Sequence, residues 1–134
     1  MRRLLLLLLG ALVLAACIQV APTPGSLMTQ ERAISTALEW ATMYYGLRDV
    51  QEVGARQITY DDFLRLSGDT PWVGMSLETP MWLVAIRGTV VFTGPPSVDG
   101  TPNRSEYDNM YVLLDSQSGR VFQIGARVPG KEIR

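Results

Sequence analysis

A chain of 134 residues, 47% of them hydrophobic and 19% charged, fits one globular domain and leaves no room for a second core. Its formal net charge of −1 provides no electrostatic footprint for nucleic acid. With no histidine and one cysteine, Cys17, it has no Ser-His-Asp or Cys-His catalytic arrangement, none of the usual zinc ligand sets and no intrachain disulfide.

The chain begins MRRLLLLLLGALVLAAC. Two arginines, thirteen residues from Leu4 to Ala16 without a charge, and small residues directly before a cysteine have the layout of a secretory signal. A membrane-spanning helix takes about 20 apolar residues, and this run meets Gln19 before reaching that length. Leu14-Ala15-Ala16-Cys17 resembles the lipobox of bacterial lipoproteins. The resemblance implies a signal peptide over residues 1–16 and a Cys17 that is lipidated on its thiol, becomes the new N-terminus and is acylated there too. One fatty chain binds a membrane marginally and two hold stably, so Cys17 is expected to be an anchor rather than a nucleophile. Removal of Arg2 and Arg3 would leave the mature chain nearer −3, with 13 acidic and 10 basic residues.

Residues 18–28, IQVAPTPGSLM, hold two prolines, a glycine and no charge. Residues 17–28 are therefore expected to be the lipidated cysteine and a flexible tether, and residues 29–134 a single domain.

A helix is expected over residues 29–45. Thr29 can cap it, Glu31 sits in the first turn where the helix dipole favours an anion, and Gly46 stands where a left-handed residue ends a helix. Ala33, Ile34, Ala37, Leu38, Ala41 and Tyr45 recur at helical spacing and form its apolar stripe. Trp40 and Tyr44 lie beside that stripe and read as packing residues.

Val50, Val53, Ala55 and Ile58 indicate a strand over residues 52–59, with Gly54 as a bulge. The stretch TYDD then caps a short helix over residues 60–66. Asp61 and Asp62 are adjacent and diverge, which suits a cap better than a paired-carboxylate acid and base. Glycines and prolines make residues 68–80 a loop, from which Trp72 docks onto the core or stands out as a contact.

Residues 81–92 form a long strand. Trp82, Val84, Ile86, Val90 and Phe92 share one face and should pack under the first helix. The other face carries Met81, Leu83, Ala85, Arg87, Thr89 and Val91, and its half-apolar character suggests only a light cover. Residues 94–109 read as a long polar loop. Asp99, Asn103, Glu106, Asp108 and Asn109 offer oxygen ligands, but their spacing does not match a D-x-[DN]-x-[DN]-G calcium loop. A hairpin follows, with Asp115 and Gly119 forming its turn, and then a short polar tail over residues 127–134.

The expected fold is α+β: one N-terminal helix packed on an antiparallel sheet of three to four strands, plus a short second helix. The element order, with Tyr111 to Leu114, Asp115, Gly119 and Val121 in the last hairpin, is similar to PepSY domains and more loosely to cystatin-like domains. That resemblance implies a small extracytoplasmic module with an inhibitory or regulatory role.

The functional expectation is a non-enzymatic binding or regulatory module, lipid-anchored at the cell membrane on the extracytoplasmic side, without cofactor or metal. Leu83, Arg87 and Thr89 on the second sheet face are the candidate surface for an envelope protein, on the argument that contiguous exposed apolar surface marks a contact. Two alternatives are a cell-surface enzyme working with carboxylates, tyrosines or Lys131, and a passive envelope assembly subunit.

Overall fold

The computed structural model describes residues 27–126. Cys17, the expected signal peptide, nearly all of the tether and the tail lie outside the described residues. The elements run α1 (Gln30–Tyr45), β1 (Arg48–Thr59), α2 (Tyr60–Ser67), β2 (Pro80–Thr93), β3 (Arg104–Asp115) and β4 (Val121–Ala126). The four strands form one antiparallel sheet in the order β1-β2-β3-β4. This is the expected α+β arrangement, with four strands.

α1 starts where the Thr29 hydroxyl accepts the Arg32 N–H at 3.3 Å and ends at Gly46, whose φ of 55° is the left-handed cap. Ala33, Ala37 and Ala41 are fully buried along its inner face, and their small size lets the helix lie close to the sheet. Ile34, Leu38 and Tyr45 flank them. Beneath lie Val84, Ile86, Val90, Met110, Val112 and Leu114, the period-two rows of β2 and β3.

The second face has its own core. Tyr60, Phe63 and Leu64 of α2 follow i, i+3, i+4 spacing, which gives the short helix one apolar side. That side covers Met81, Leu83, Tyr111 and Leu113. The light cover expected on this face is therefore a solid one over the half of the sheet near Pro80. α2 and the loop after it supply it: the Trp72 ring packs edge-on against Phe122 with centroids 5.3 Å apart, and Tyr60 does the same at 5.5 Å.

Four expected details change, three of them element boundaries and one the bulge position. β1 begins at Arg48, four residues before the expected start, because the strand pairs at Arg48 with Thr89, loses register, and resumes at Glu52 with Arg87. Asp49 enables the irregularity with a φ of 53°, a region that aspartate tolerates better than most side chains. Gly54 is not the bulge; it pairs regularly with Ala85. The glycine that the irregularity needs is Gly88, where a Cβ would lie 3.0 Å from the Arg48 carbonyl and 3.2 Å from Val50 Cα. α2 runs one residue further than expected, to Ser67.

The fourth change is the largest. The loop expected over residues 94–109 closes at Asn103, whose carbonyl accepts the Gly94 N–H at 2.8 Å, and β3 starts at Arg104. Arg104, Glu106 and Asp108 are exposed in strict alternation with half-buried Ser105, Tyr107 and Asn109. Tyr107 meets Phe92 edge-on at 5.7 Å, and Phe92 stacks on Tyr45 of α1 at 4.6 Å. These three rings extend the core under a strand whose sequence is otherwise polar.

Candidate functional site

β2 divides the second face into two halves. Near Pro80, Leu83 is 0% exposed beneath α2, so it cannot contribute to a partner surface in this fold. Leu83 therefore does not join Arg87 and Thr89 on a partner surface, contrary to the expectation from the sequence: the apolar residues of this face are the ones that α2 buries. Beyond Ala85 the face opens. Arg87 is exposed between its cross-strand neighbours Glu52 and Asn109, and Thr89 is half-buried. Arg48, the partner of Thr89, reaches across β2 to Glu106, the partner of Val91, and closes an ion pair of 2.9 Å. Both side chains are more than half exposed, so solvent screens the pair and its contribution to stability is small. The open half is thus a polar strip of charges and hydrogen-bonding groups, not an apolar patch.

Where the strip meets the buried half stands Tyr111. Its hydroxyl accepts a hydrogen bond from Gln123 Nε2 at 2.9 Å, and the same amide donates to Asp69 Oδ2 at 3.1 Å. Burial, the largest influence, pushes the Tyr111 hydroxyl above its ordinary value of 10.0; the Gln123 bond works against that, and the Asp69 charge adds to it. A phenol held neutral in this way is a structural link between β3, β4 and the loop after α2.

The carboxylates singled out in the sequence are occupied with local structure. Asp62 completes a capping box: its Oδ2 accepts from the Thr59 N–H at 3.1 Å and the Thr59 hydroxyl at 2.9 Å, while its own N–H donates to Thr59 Oγ1 at 3.1 Å. The Thr59 backbone bond, followed by the hydroxyl, holds the Asp62 carboxyl below the ordinary 3.8. Asp61 pairs with Arg65 one turn on. Asp115 accepts the N–H groups of Gln117 and Ser118 at 2.7 and 2.9 Å, the turn role expected of it. Asp99 makes a comparable turn with Thr101, whose N–H lowers its pKa. Among the described residues no group of three or more carboxylates or thiols stands close enough to hold a metal ion.

Two aromatic features are exposed, the Trp40–Tyr44 pair that the sequence suggested as packing and Trp72, for which it left both docking and an exposed contact open. Trp40 and Tyr44 stack on each other with centroids 4.6 Å apart on the outer side of α1, with Met43 exposed beside them. Trp72 and Val73 form the tip of a turn in the loop after α2, where Val73 is fully exposed. The exposure of Trp40 and Tyr44 was not legible from residue type, because aromatic rings beside an apolar stripe ordinarily pack.

The chain enters the domain at one defined point. Met28 donates its N–H to the Ser116 carbonyl at 2.7 Å, and its own carbonyl accepts the Trp82 indole N–H at 2.9 Å. Met28, expected to belong to the tether, is thus fixed to the sheet at the end where β2 begins. Comparison with protein-family models, with curated proteins and with solved structures finds no match.

Proposed function

We propose that this chain is a lipid-anchored extracytoplasmic lipoprotein whose domain binds an envelope partner and performs no catalysis. The observation that carries the reading is the run of thirteen uncharged residues from Leu4 to Ala16, behind two arginines and closing in Leu14-Ala15-Ala16 directly before Cys17. The fixed entry of the chain at Met28 agrees with it: a pull on the tether would be borne by the Met28 N–H bond to the Ser116 carbonyl in the β3–β4 turn and the Trp82 indole bond to the Met28 carbonyl.

The non-catalytic part of the reading rests on chemistry. Asp61, Asp62, Asp99, Asp115 and Glu106 are engaged in caps, turns and ion pairs, and the chain has no histidine to act as a base at neutral pH. The accessible part of the expected partner surface is the polar strip at Arg87 and Thr89. A partner there would be met by charge and hydrogen bonds, which select for orientation more than for affinity. The PepSY-like reading of the element order belongs to the same proposal, as a regulatory module.

The anchor is tested by growing cells on an alkyne-tagged fatty acid and following the label. The wild type is expected to carry the label in the membrane fraction, and Cys17→Ser to lose it; label retained by Cys17→Ser would refute the assignment. The partner surface is tested by capture from detergent-solubilised membranes, where Arg87→Glu should change the captured set.

A further inference from the structure

The loop after α2 contains a tight turn whose Met75 N–H donates to the Trp72 carbonyl at 3.3 Å. Gly74 takes the positive φ, 90°, that such a turn needs at its third position. The tip is apolar: Val73 is fully exposed and Trp72 is 62% exposed. It is also held firmly. The Trp72 N–H donates to the Tyr60 hydroxyl at 3.0 Å, and the indole packs against Phe122. A rigid turn that presents a valine and a tryptophan to solvent gains nothing for folding from those two exposed faces.

Its position relative to the chain entry follows from a line of hydrogen bonds. Met28 binds the Ser116 carbonyl, the Ser116 N–H binds the Pro80 carbonyl, the Tyr60 N–H binds the neighbouring Thr79 carbonyl, and the Tyr60 hydroxyl binds Trp72. The turn and the entry point therefore share one end of the domain. Leu27, next to Met28, and Leu77, whose carbonyl accepts the Asp61 N–H, are exposed at the same end. Eleven peptide steps separate Met28 from Cys17, a chain that spans at most roughly 40 Å when fully extended. A linker this short holds a second contact at an effective concentration in the millimolar range, so a weak apolar contact suffices.

We propose that the Trp72–Val73 turn is a second membrane contact, inserting into the interfacial layer of the bilayer that holds Cys17. This deepens the lipoprotein reading and rests on it. Tryptophan is enriched at that layer, where its ring is buried and its N–H stays wet. Charge does not help: Arg65 is paired with Asp61, while Asp69, which only accepts a hydrogen bond from the neutral Gln123 amide, and Glu78 are both negative and would oppose an anionic surface. The turn thus orients the domain with the Pro80 end on the membrane and the residue 94–103 loop, at the other end of β2, away from it.

The test uses the acylated full chain in phosphatidylcholine vesicles whose acyl chains are brominated near the ester end. The tryptophan fluorescence should be quenched; Trp72→Phe should lose the quenching, and Trp40→Phe, on the outer side of α1, should keep it. Phenylalanine preserves the ring packing on Phe122 and the backbone bond to Tyr60. Val73→Asp, at a fully exposed position, should weaken the quenching without unfolding the domain. Undiminished quenching in Trp72→Phe would overturn the proposal, as would an unquenched wild type whose intact mass carries acyl groups on Cys17; the turn would then be open to a protein partner. A chain without acyl groups that stays in the aqueous phase would overturn the anchor, and this contact with it, so the two failures are told apart by the mass.

Discussion

The ring of Tyr111 lies directly across Gly125, its partner on the neighbouring strand: a Cβ built at Gly125 would sit 2.3 Å from Tyr111 Cε1. No side chain fits there while the ring stays in place. Gly125→Ala must displace a nearly buried ring that also carries the hydrogen bond from Gln123. Overpacking of this kind destabilises by about 1–3 kcal/mol. The expected outcome is a lower urea midpoint with an unchanged slope.

Leu83 and Arg87, two turns of the pleat apart on one face, should behave oppositely. Leu83→Ala removes a fully buried side chain from beneath α2 and should cost about 2–5 kcal/mol. Arg87→Glu changes an exposed side chain, sets a carboxylate opposite Glu52, and should cost no more than about 1 kcal/mol. Thermal unfolding of the two variants checks this, and it makes Arg87→Glu a clean probe of partner capture.

The hydroxyl of Ser116 is buried in the β3–β4 turn and meets no hydrogen-bond partner among the described residues. Its backbone does the useful work, with the N–H bonded to Pro80 and the carbonyl to Met28. Ser116→Ala keeps those bonds and removes a buried polar atom without a partner. It should stabilise the domain by about 1 kcal/mol, seen as a rise of about 4–8 °C in melting temperature for a domain of this size.

These positions show what the sequence could and could not reveal. The helix, its caps, the faces of β2 and the Asp115 turn were legible because each follows from a local rule: periodicity, a capping hydroxyl, or an Asx acceptor before a glycine. α2 was legible as a helix, yet where its apolar side went was not. Tyr60, Phe63 and Leu64 had to be buried somewhere, and only the sheet geometry decides that they cover Leu83 and leave Arg87 open. β3 was missed from Arg104 to Asn109 because its alternation places polar residues on both faces, and Tyr107 gains its burial from Phe92 and Tyr45, both distant in sequence. The bulge was assigned to Gly54 on residue type. The clash that demands glycine occurs at Gly88, against a backbone that no local pattern announces.

The capping box of α2 gives a pH dependence. The Asp62 carboxyl titrates below its ordinary value of 3.8 in the folded chain, chiefly because it accepts the Thr59 N–H. A depressed folded pKa stabilises the fold at pH values above the unfolded one, and that contribution is lost as the pH falls through the folded value. Asp62→Asn should therefore be less stable than wild type at neutral pH, and the gap should close in acid below 3.8. Urea midpoints for the two chains across that range measure it, and a gap independent of pH would contradict the charged cap.

The account turns on Cys17. The most direct measurement is the intact mass and N-terminal peptide of the chain isolated from its native membrane. The account predicts a mature chain that begins at Cys17 and carries fatty acyl groups on it; a chain that retains Met1, or that begins elsewhere with a free thiol, would contradict it.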